Sequence, residues 1–284
     1  MEYALTANHL MKKYGRSNAL DNFSMQVPKG AIYGFVGKNG AGKTTLIRCL
    51  TNLYRFQGEI LWKGRSIRKN TDYLDRIGYL PQKFGAYQEL TVEEMLRYFC
   101  VLKRIEKKEW SRESERVLEA VNLTEAAEKK VRHLSGGMLR RLGIAQTLLG
   151  KPEVLIFDEP TAGLDPEERL RFKMLISSLS RERIILISTH IVEDVDALCD
   201  RILIMDAGRI VFSGTAGELK AQAEGKTFEC TELEQKKLTG RFYMERQFEQ
   251  ENAVHYRLVA EEPQVCRKVE LRIEDGYICV LEHI

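Results

Sequence analysis

Gly37-Lys38-Asn39-Gly40-Ala41-Gly42-Lys43-Thr44 follows the apolar run Ala31–Val36 and opens a helix-forming stretch. A strand, a glycine loop and a helix start in that order build a cradle for a polyphosphate, because backbone N–H groups surround the anion and the helix N-terminus faces it. The Lys43 ammonium is expected to bridge the β- and γ-phosphates and the Thr44 hydroxyl to bind Mg²⁺, while the glycines allow close backbone approach. Gly37, Asn39, Gly40, Ala41, Gly42 and Thr45 complete the expected contacts.

Asp158 and Glu159 end the apolar run Val154–Phe157, so both carboxylates emerge at the carboxyl edge of a sheet, where ligands bind in open α/β folds. Asp158 suits the outer shell of Mg²⁺. Glu159, pointing to the opposite side, suits a base that polarises an attacking water. A lone Asp-Glu pair is more often a solvated turn or a helix cap; the phosphate loop in the same chain weighs against that. Ser135-Gly136-Gly137 precedes a helix with Leu139, Leu142, Leu148 and Leu149 on its packing face. Ser135 is either an ordinary N-cap or, with the glycine N–H groups, a holder of a γ-phosphate. Helix-dipole help is only about 0.3–1 kcal/mol, so this segment makes sense as one wall of a site whose other wall is a phosphate loop.

The elements that must position these groups alternate. Phe23, Met25 and Val27 have strand periodicity, and Ala31–Val36, Gly58–Trp62, Ile77–Leu80, Val154–Phe157, Ile184–Ser188 and Ile202–Met205 read as strands. Helices are expected at Lys43–Asn52, from the Thr91-to-Glu94 capping box toward Phe99, near Pro166–Leu179 and near Val192–Leu198. Residues 84–150 read as mostly helical. Strands alternating with helices imply a mainly parallel α/β sheet. The polar stretch Ala221–Lys226 marks a boundary, giving domains at 1–220 and 221–284. The second holds one strand candidate, Val254–Val259, and an apolar helical face over Ile273–Ile284; a small dimerisation or regulatory domain and a structural cap are both open readings.

Bulk properties narrow the classes. The 284 residues carry 44 Lys and Arg against 41 Asp and Glu, and a net charge of +3 gives no basic field for nucleic acid. Cys49, Cys100, Cys199, Cys230, Cys266 and Cys279 form no Cys-x-x-Cys pair, which favours buried free thiols in a reducing compartment. The longest apolar runs fall far short of the roughly 20 residues that cross a bilayer, and the Met1-Glu2-Tyr3 start lacks a secretory signal, so a cytoplasmic location is expected.

With Gln82 after a strand, Leu134–Met138, Asp158-Glu159, Gly163-Leu164-Asp165 and His190 following the phosphate loop in order, residues 3–217 resemble ABC transporter nucleotide-binding subunits. The resemblance implies a P-loop NTPase core of the ABC type with an N-terminal antiparallel β subdomain, a helical subdomain at about 84–150 and a small C-terminal α/β domain. It also implies ATP and Mg²⁺ as ligands and assigns roles: Tyr14 stacks on adenine, Gln82 senses Mg²⁺ and the attacking water, Asp165 crosses a dimer interface, and His190 contacts the γ-phosphate. Singly, each has an ordinary structural reading; their joint order carries the resemblance. Each Ser135-Gly136-Gly137 segment is then expected to complete the site of a second ATPase subunit, and integral-membrane permease subunits dock on the helical subdomain, placing the chain on the cytoplasmic face of the cell membrane. Met138 replaces the family's frequent Gln. The segment Arg140–Gln146 looks like the branch that mainly exports, with an importer ATPase or a non-transport regulator as alternatives. A chromosome or repair ATPase would need hundreds of heptad residues between the phosphate loop and the Leu134–Met138 signature, and a ribosome-acting ATPase two motif sets; neither is present.

Overall fold

The computed structural model describes residues 3–180, 183–250, 253–262 and 266–284; Met1 and Glu2 of the start read above lie outside it. Strands β1 (Tyr3–Tyr14) and β2 (Ser17–Pro28) pair antiparallel, then β3 (Ile32–Val36) runs into the glycine loop and helix α1 (Lys43–Leu50). The alternation at Phe23, Met25 and Val27 is real: these side chains are buried and their neighbours Ser24 and Gln26 are exposed. β4 (Gln57–Trp62) joins β1 and β5 (Arg65–Ser66) to make a four-stranded antiparallel sheet in the order β2-β1-β4-β5. A short α2 (Thr71–Asp75) leads to β6 (Ile77–Leu80).

Three helices follow, α3 (Val92–Leu102), α4 (Trp110–Ala120) and α5 (Gly136–Leu148), with short 3₁₀ turns between them. The capping box forms as the sequence requires: Thr91 Oγ1 accepts from the Glu94 N–H at 3.1 Å, and Glu94 Oε2 accepts from the Thr91 N–H at 2.8 Å. The chain then alternates through β7 (Val154–Asp158), α6 (Pro166–Leu179), β8 (Ile184–Thr189), α7 (Val192–Asp196), β9 (Arg201–Asp206) and β10 (Arg209–Gly214). The second sheet has the order β10-β9-β3-β8-β7-β6, parallel except for the β9–β10 hairpin.

Both faces of this sheet are covered, which is why β3, β7 and β8 expose no residue and are apolar up to the polar ends Asp158 and Ser188-Thr189. Alternate side chains divide between two cores. Val154, Ile156, Ile184 and Leu186 pack with α1 and the antiparallel sheet, while Leu155, Phe157, Ile185 and Ile187 pack with the helices of residues 92–148.

After α8 (Ala216–Ala221), strands β11 (Thr227–Thr231), β12 (Phe242–Gln250), β13 (Ala253–Ala260) and β14 (Arg267–Lys268), with a short α9 (Glu232–Gln235), build an antiparallel sheet in the order β12-β13-β11-β14. The last helix, α10 (Ile273–Glu282), returns to the first part of the chain: Ile273 shares a core with Leu219, Val192, Val195 and Val36. A Cβ at Gly276 would lie 1.9 Å from the Leu219 carbonyl oxygen, so α10 can lie this close to α8 only with glycine there. Arg257 is buried and compensated by Asp275 at 2.7 Å, Glu245 at 3.0 Å and Glu229 at 3.3 Å.

Candidate functional site

Register decides which residues meet. Val36 pairs with Thr189 and Asp158 with Ser188, so Gly37, Glu159 and His190, each next in its chain, leave the carboxyl edge of the sheet side by side. Leu80 pairs with Phe157, which brings Pro81 and Gln82 to the same edge.

The loop from Gly37 to Gly42 is held against β9 and β2. A Cβ at Gly37 would lie 2.3 Å from the Met205 carbonyl, and one at Gly42, whose φ is 107°, 2.4 Å from the Ala19 carbonyl. The Ala41 carbonyl accepts from the Gly208 N–H at 3.0 Å, pinning the loop to the β9–β10 turn. Lys43 is 6 % exposed; its ammonium donates to the Gly37 carbonyl at 2.6 Å and the Lys38 carbonyl at 3.3 Å, and stands 4.0 Å from Glu159 Oε1. Burial pulls its pKa below the ordinary lysine value, against the opposing pull of Glu159 and Asp158.

Thr44 Oγ1 donates to Asp158 Oδ1 at 3.4 Å, and that same carboxylate oxygen accepts from Ser188 Oγ. The other oxygen, Asp158 Oδ2, is buried without a hydrogen-bond partner. An unpartnered buried carboxylate oxygen costs free energy unless a cation completes it, and a hydroxyl beside a carboxylate is the hard oxygen donor set that Mg²⁺ prefers. The residues present therefore fit that ion.

Glu159 Oε2 accepts from His190 Nδ1 at 2.7 Å. A carboxylate only accepts, so Nδ1 carries the proton and, in the neutral ring, Nε2 is an acceptor. The Glu159 backbone is left-handed, with φ 52°, a conformation that costs a non-glycine residue roughly 1–2 kcal/mol. Its N–H donates to the Ser188 carbonyl and Oγ at 3.0 and 3.2 Å.

The remaining residues fall into separate places. Tyr14 is half-exposed and edge-on to Tyr54, with ring centroids 6.2 Å apart. The Gln82 side chain is exposed, while the residue's main-chain carbonyl accepts from Arg140 at 3.1 Å; no contact joins the side-chain amide to Thr44 or Asp158 among the described residues. Ser135 caps α5, its hydroxyl accepting from the Met138 N–H at 3.2 Å, and a Cβ at Gly136 would meet nothing within 4 Å. Asp165 caps α6 by accepting from the Glu168 N–H at 2.8 Å; a Cβ on Gly137 would lie 3.5 Å from Glu168. Signature and Asp165 thus share one exposed face, while the loop, Asp158, Glu159 and His190 form another group.

Two further anchors lie outside the motifs: Thr161 Oγ1 donates to buried Asp194, which also pairs with Lys173 at 3.4 Å, and Arg140 of α5 donates into the strand ends. A hydroxyl and a basic helix residue carry no spacing signal of their own, so sequence reasoning gives Thr161 no role and Arg140 only a place in the Arg140–Gln146 segment.

A family model described as ABC transporter matches residues 20–162. The chain belongs to the ABC transporter family. Within it, the likeness is to ATP-binding subunits. The chain is 39% identical over 225 residues to the daunorubicin resistance ATP-binding protein DrrA3 of Streptomyces coeruleorubidus, covering 78% of this chain and 71% of that one. It is 35% identical to the methionine import ATP-binding protein MetN of Rhizobium johnstonii, covering 79% and 64%. Among solved structures, cbiO1 from Clostridium perfringens, part of the ABC transporter complex cbiONQ, superposes with a TM-score of 0.70 at 28% identity, covering 78% of this chain and 92% of that one. The ABC ATPase fold expected from the sequence is the fold observed. Among the described residues, no helix is long and apolar enough to cross a membrane.

Proposed function

We propose that this ABC chain binds and hydrolyses ATP as the motor subunit of a transporter, closing as a dimer on two ATP molecules. The observation that carries the reading is the Glu159 carboxylate held between His190 and Lys43 at the mouth of the glycine loop, beside the unpartnered Asp158 oxygen. Lys43 and the Gly37–Thr45 main chain hold the phosphates, and Tyr14 offers its ring to adenine. Thr44 and Asp158, with Gln82 at the entrance, would hold Mg²⁺, which would supply positive charge against the phosphates. Glu159 takes a proton from water as its oxygen attacks the γ-phosphorus, the bond to the bridging oxygen breaks, and ADP leaves. His190 holds the carboxylate toward the γ-phosphate.

The exposed face bearing Ser135, Gly136, Gly137 and Asp165 serves the ATP on a second subunit, identical or not. Open space at Gly136 supports this, since a helix start built for its own loop would be covered by it. Permease subunits would engage residues 84–150, which holds the chain on the cytoplasmic face of the membrane. DrrA3, named for drug resistance, supports export; MetN, named for import, keeps the opposite direction as the second reading. Residues 1–220 serve as the ATPase domain and 221–284 as an accessory domain.

Glu159→Gln removes the proton acceptor and preserves size. Turnover should collapse while an ATP-bound dimer accumulates, measured by phosphate release and size-exclusion chromatography. Wild-type turnover in this variant would remove Glu159 from the role.

A further inference from the structure

Helix α5 carries the signature at its start, and five residues later it carries Arg140, which no motif explains. The guanidinium folds inward against two strand exits. Nε donates to the Pro160 carbonyl at 2.9 Å, Nη1 to Pro81 at 3.3 Å and Gln82 at 3.1 Å, and Nη2 to Asp158 at 3.1 Å and to Glu159. Five main-chain carbonyls from the ends of β6 and β7 converge on one side chain. Arginine is the only residue whose planar fork offers five donors and no acceptor.

The peptide units around Glu159 are therefore gripped on both sides. Ser188 holds its N–H, and Arg140 holds its carbonyl together with those before and after it. A left-handed glutamate persists only where its surroundings over-determine it. Without one of the two grips, the backbone can relax to the ordinary extended region, and the carboxylate swings away from His190.

We propose that Arg140 is a positioning residue: it fixes the Glu159 carboxylate for its proton transfer and ties that carboxylate to the helix whose first turn faces the second subunit. ATP engaged by Ser135 at one site then bears on the base of the other through a single rigid helix. The proposal rests on the reading of Glu159 as the base in ATP hydrolysis. Docking of α5 does not depend on Arg140, because Gln146 Nε2 also donates to the Tyr79 carbonyl at 2.7 Å, and Leu142, Ile144, Ala145 and Leu148 are buried in the core.

The test compares full-length wild type, Arg140→Met, Arg140→Lys and Glu159→Gln with Mg·ATP, reading turnover, nucleotide affinity and the ATP-dependent dimer. Arg140→Met keeps the aliphatic stem and removes every donor. Its turnover should fall on the order of 10²-fold, the effect of a misplaced catalytic group, with nucleotide affinity unchanged. An ATP-bound dimer should accumulate, as is expected of Glu159→Gln, which mere structural damage would not produce. Arg140→Lys, with one ammonium in place of the fork, should recover part of the turnover, and it carries the comparison if the Met variant fails to fold. Wild-type turnover in Arg140→Met would overturn the positioning role alone. So would loss of turnover together with loss of the dimer, which would make Arg140 a residue of the fold or of closure. A wild-type chain without hydrolysis, or Glu159→Gln with full turnover, would overturn the ATPase reading itself.

Discussion

At Lys43 the glycine loop folds around its own cation. The ammonium is housed by two loop carbonyls and faces Glu159 across 4.0 Å, and in the proposed cradle phosphate oxygens would replace those carbonyls. Lys43→Ala removes a charge-assisted contact worth about 1.5–3 kcal/mol, and ATP affinity should fall by the corresponding factor of roughly 10 to 10². Calorimetric titration with ATP measures it; undiminished affinity would count against the cradle. At this scale the chemistry was largely legible from sequence. Gly37–Thr44 and Asp158-Glu159 are contiguous, and their partners follow from sheet register. Arg140 was not legible, because its partners are main-chain carbonyls 18 to 59 positions away, and a carbonyl has no letter in the sequence.

Besides the buried middle of α5, a helix end also fastens the helical subdomain to the sheet. Lys103 caps α3 and donates to the Leu149 carbonyl at 3.0 Å and the Ile77 carbonyl at 3.4 Å, joining the ends of α3 and α5 to the start of β6. Burial pushes its pKa down to about 8. Because this folded value lies below the unfolded one of about 10.4, the unfolded chain binds more protons between them, and stability gains with rising pH across that window. The gain is lost as pH falls through about 8. Urea unfolding should show wild type improving relative to Lys103→Met from about pH 8 to about 10.4, and parallel curves would refute it. Elements differ in legibility for a packing reason. β3, β7 and β8 are buried on both faces and read as apolar runs, whereas β12 is a sheet edge whose nine residues include none that is buried, so Phe242–Gln250 showed no alternation. β11 also escaped notice: Thr227, Phe228 and Cys230 are buried, but polar Thr227 disguises the pattern.

Across the whole molecule, the start of α5 and the Gly37–Thr44 loop share no hydrogen bond or ion pair among the described residues. Ser135→Arg places a long cation at the open start of α5, where the second subunit's ATP would sit. The variant should bind ATP as a monomer but fail to form the ATP-dependent dimer in light scattering. Normal dimerisation would remove the signature from the second subunit's site. The last helix extends this connectedness: Glu282 of α10 pairs with Lys38 of the phosphate loop at 3.0 Å, and Ile273 enters a core with Val36 and Val192. The last helix thereby touches the Gly37–Thr44 loop directly.

The order of chemical groups along the chain, and the alternation that makes a parallel sheet carry them, were determined by sequence alone, because both depend on residues near one another in the chain. The family followed from that order. Only the tertiary structure decided that Glu159 adopts a left-handed backbone between Ser188 and Arg140, that Asp158 keeps one buried oxygen without a hydrogen-bond partner, and that α10 closes onto the loop. Each of these depends on main-chain groups or distant side chains meeting at fixed distances, which packing sets and local pattern does not encode.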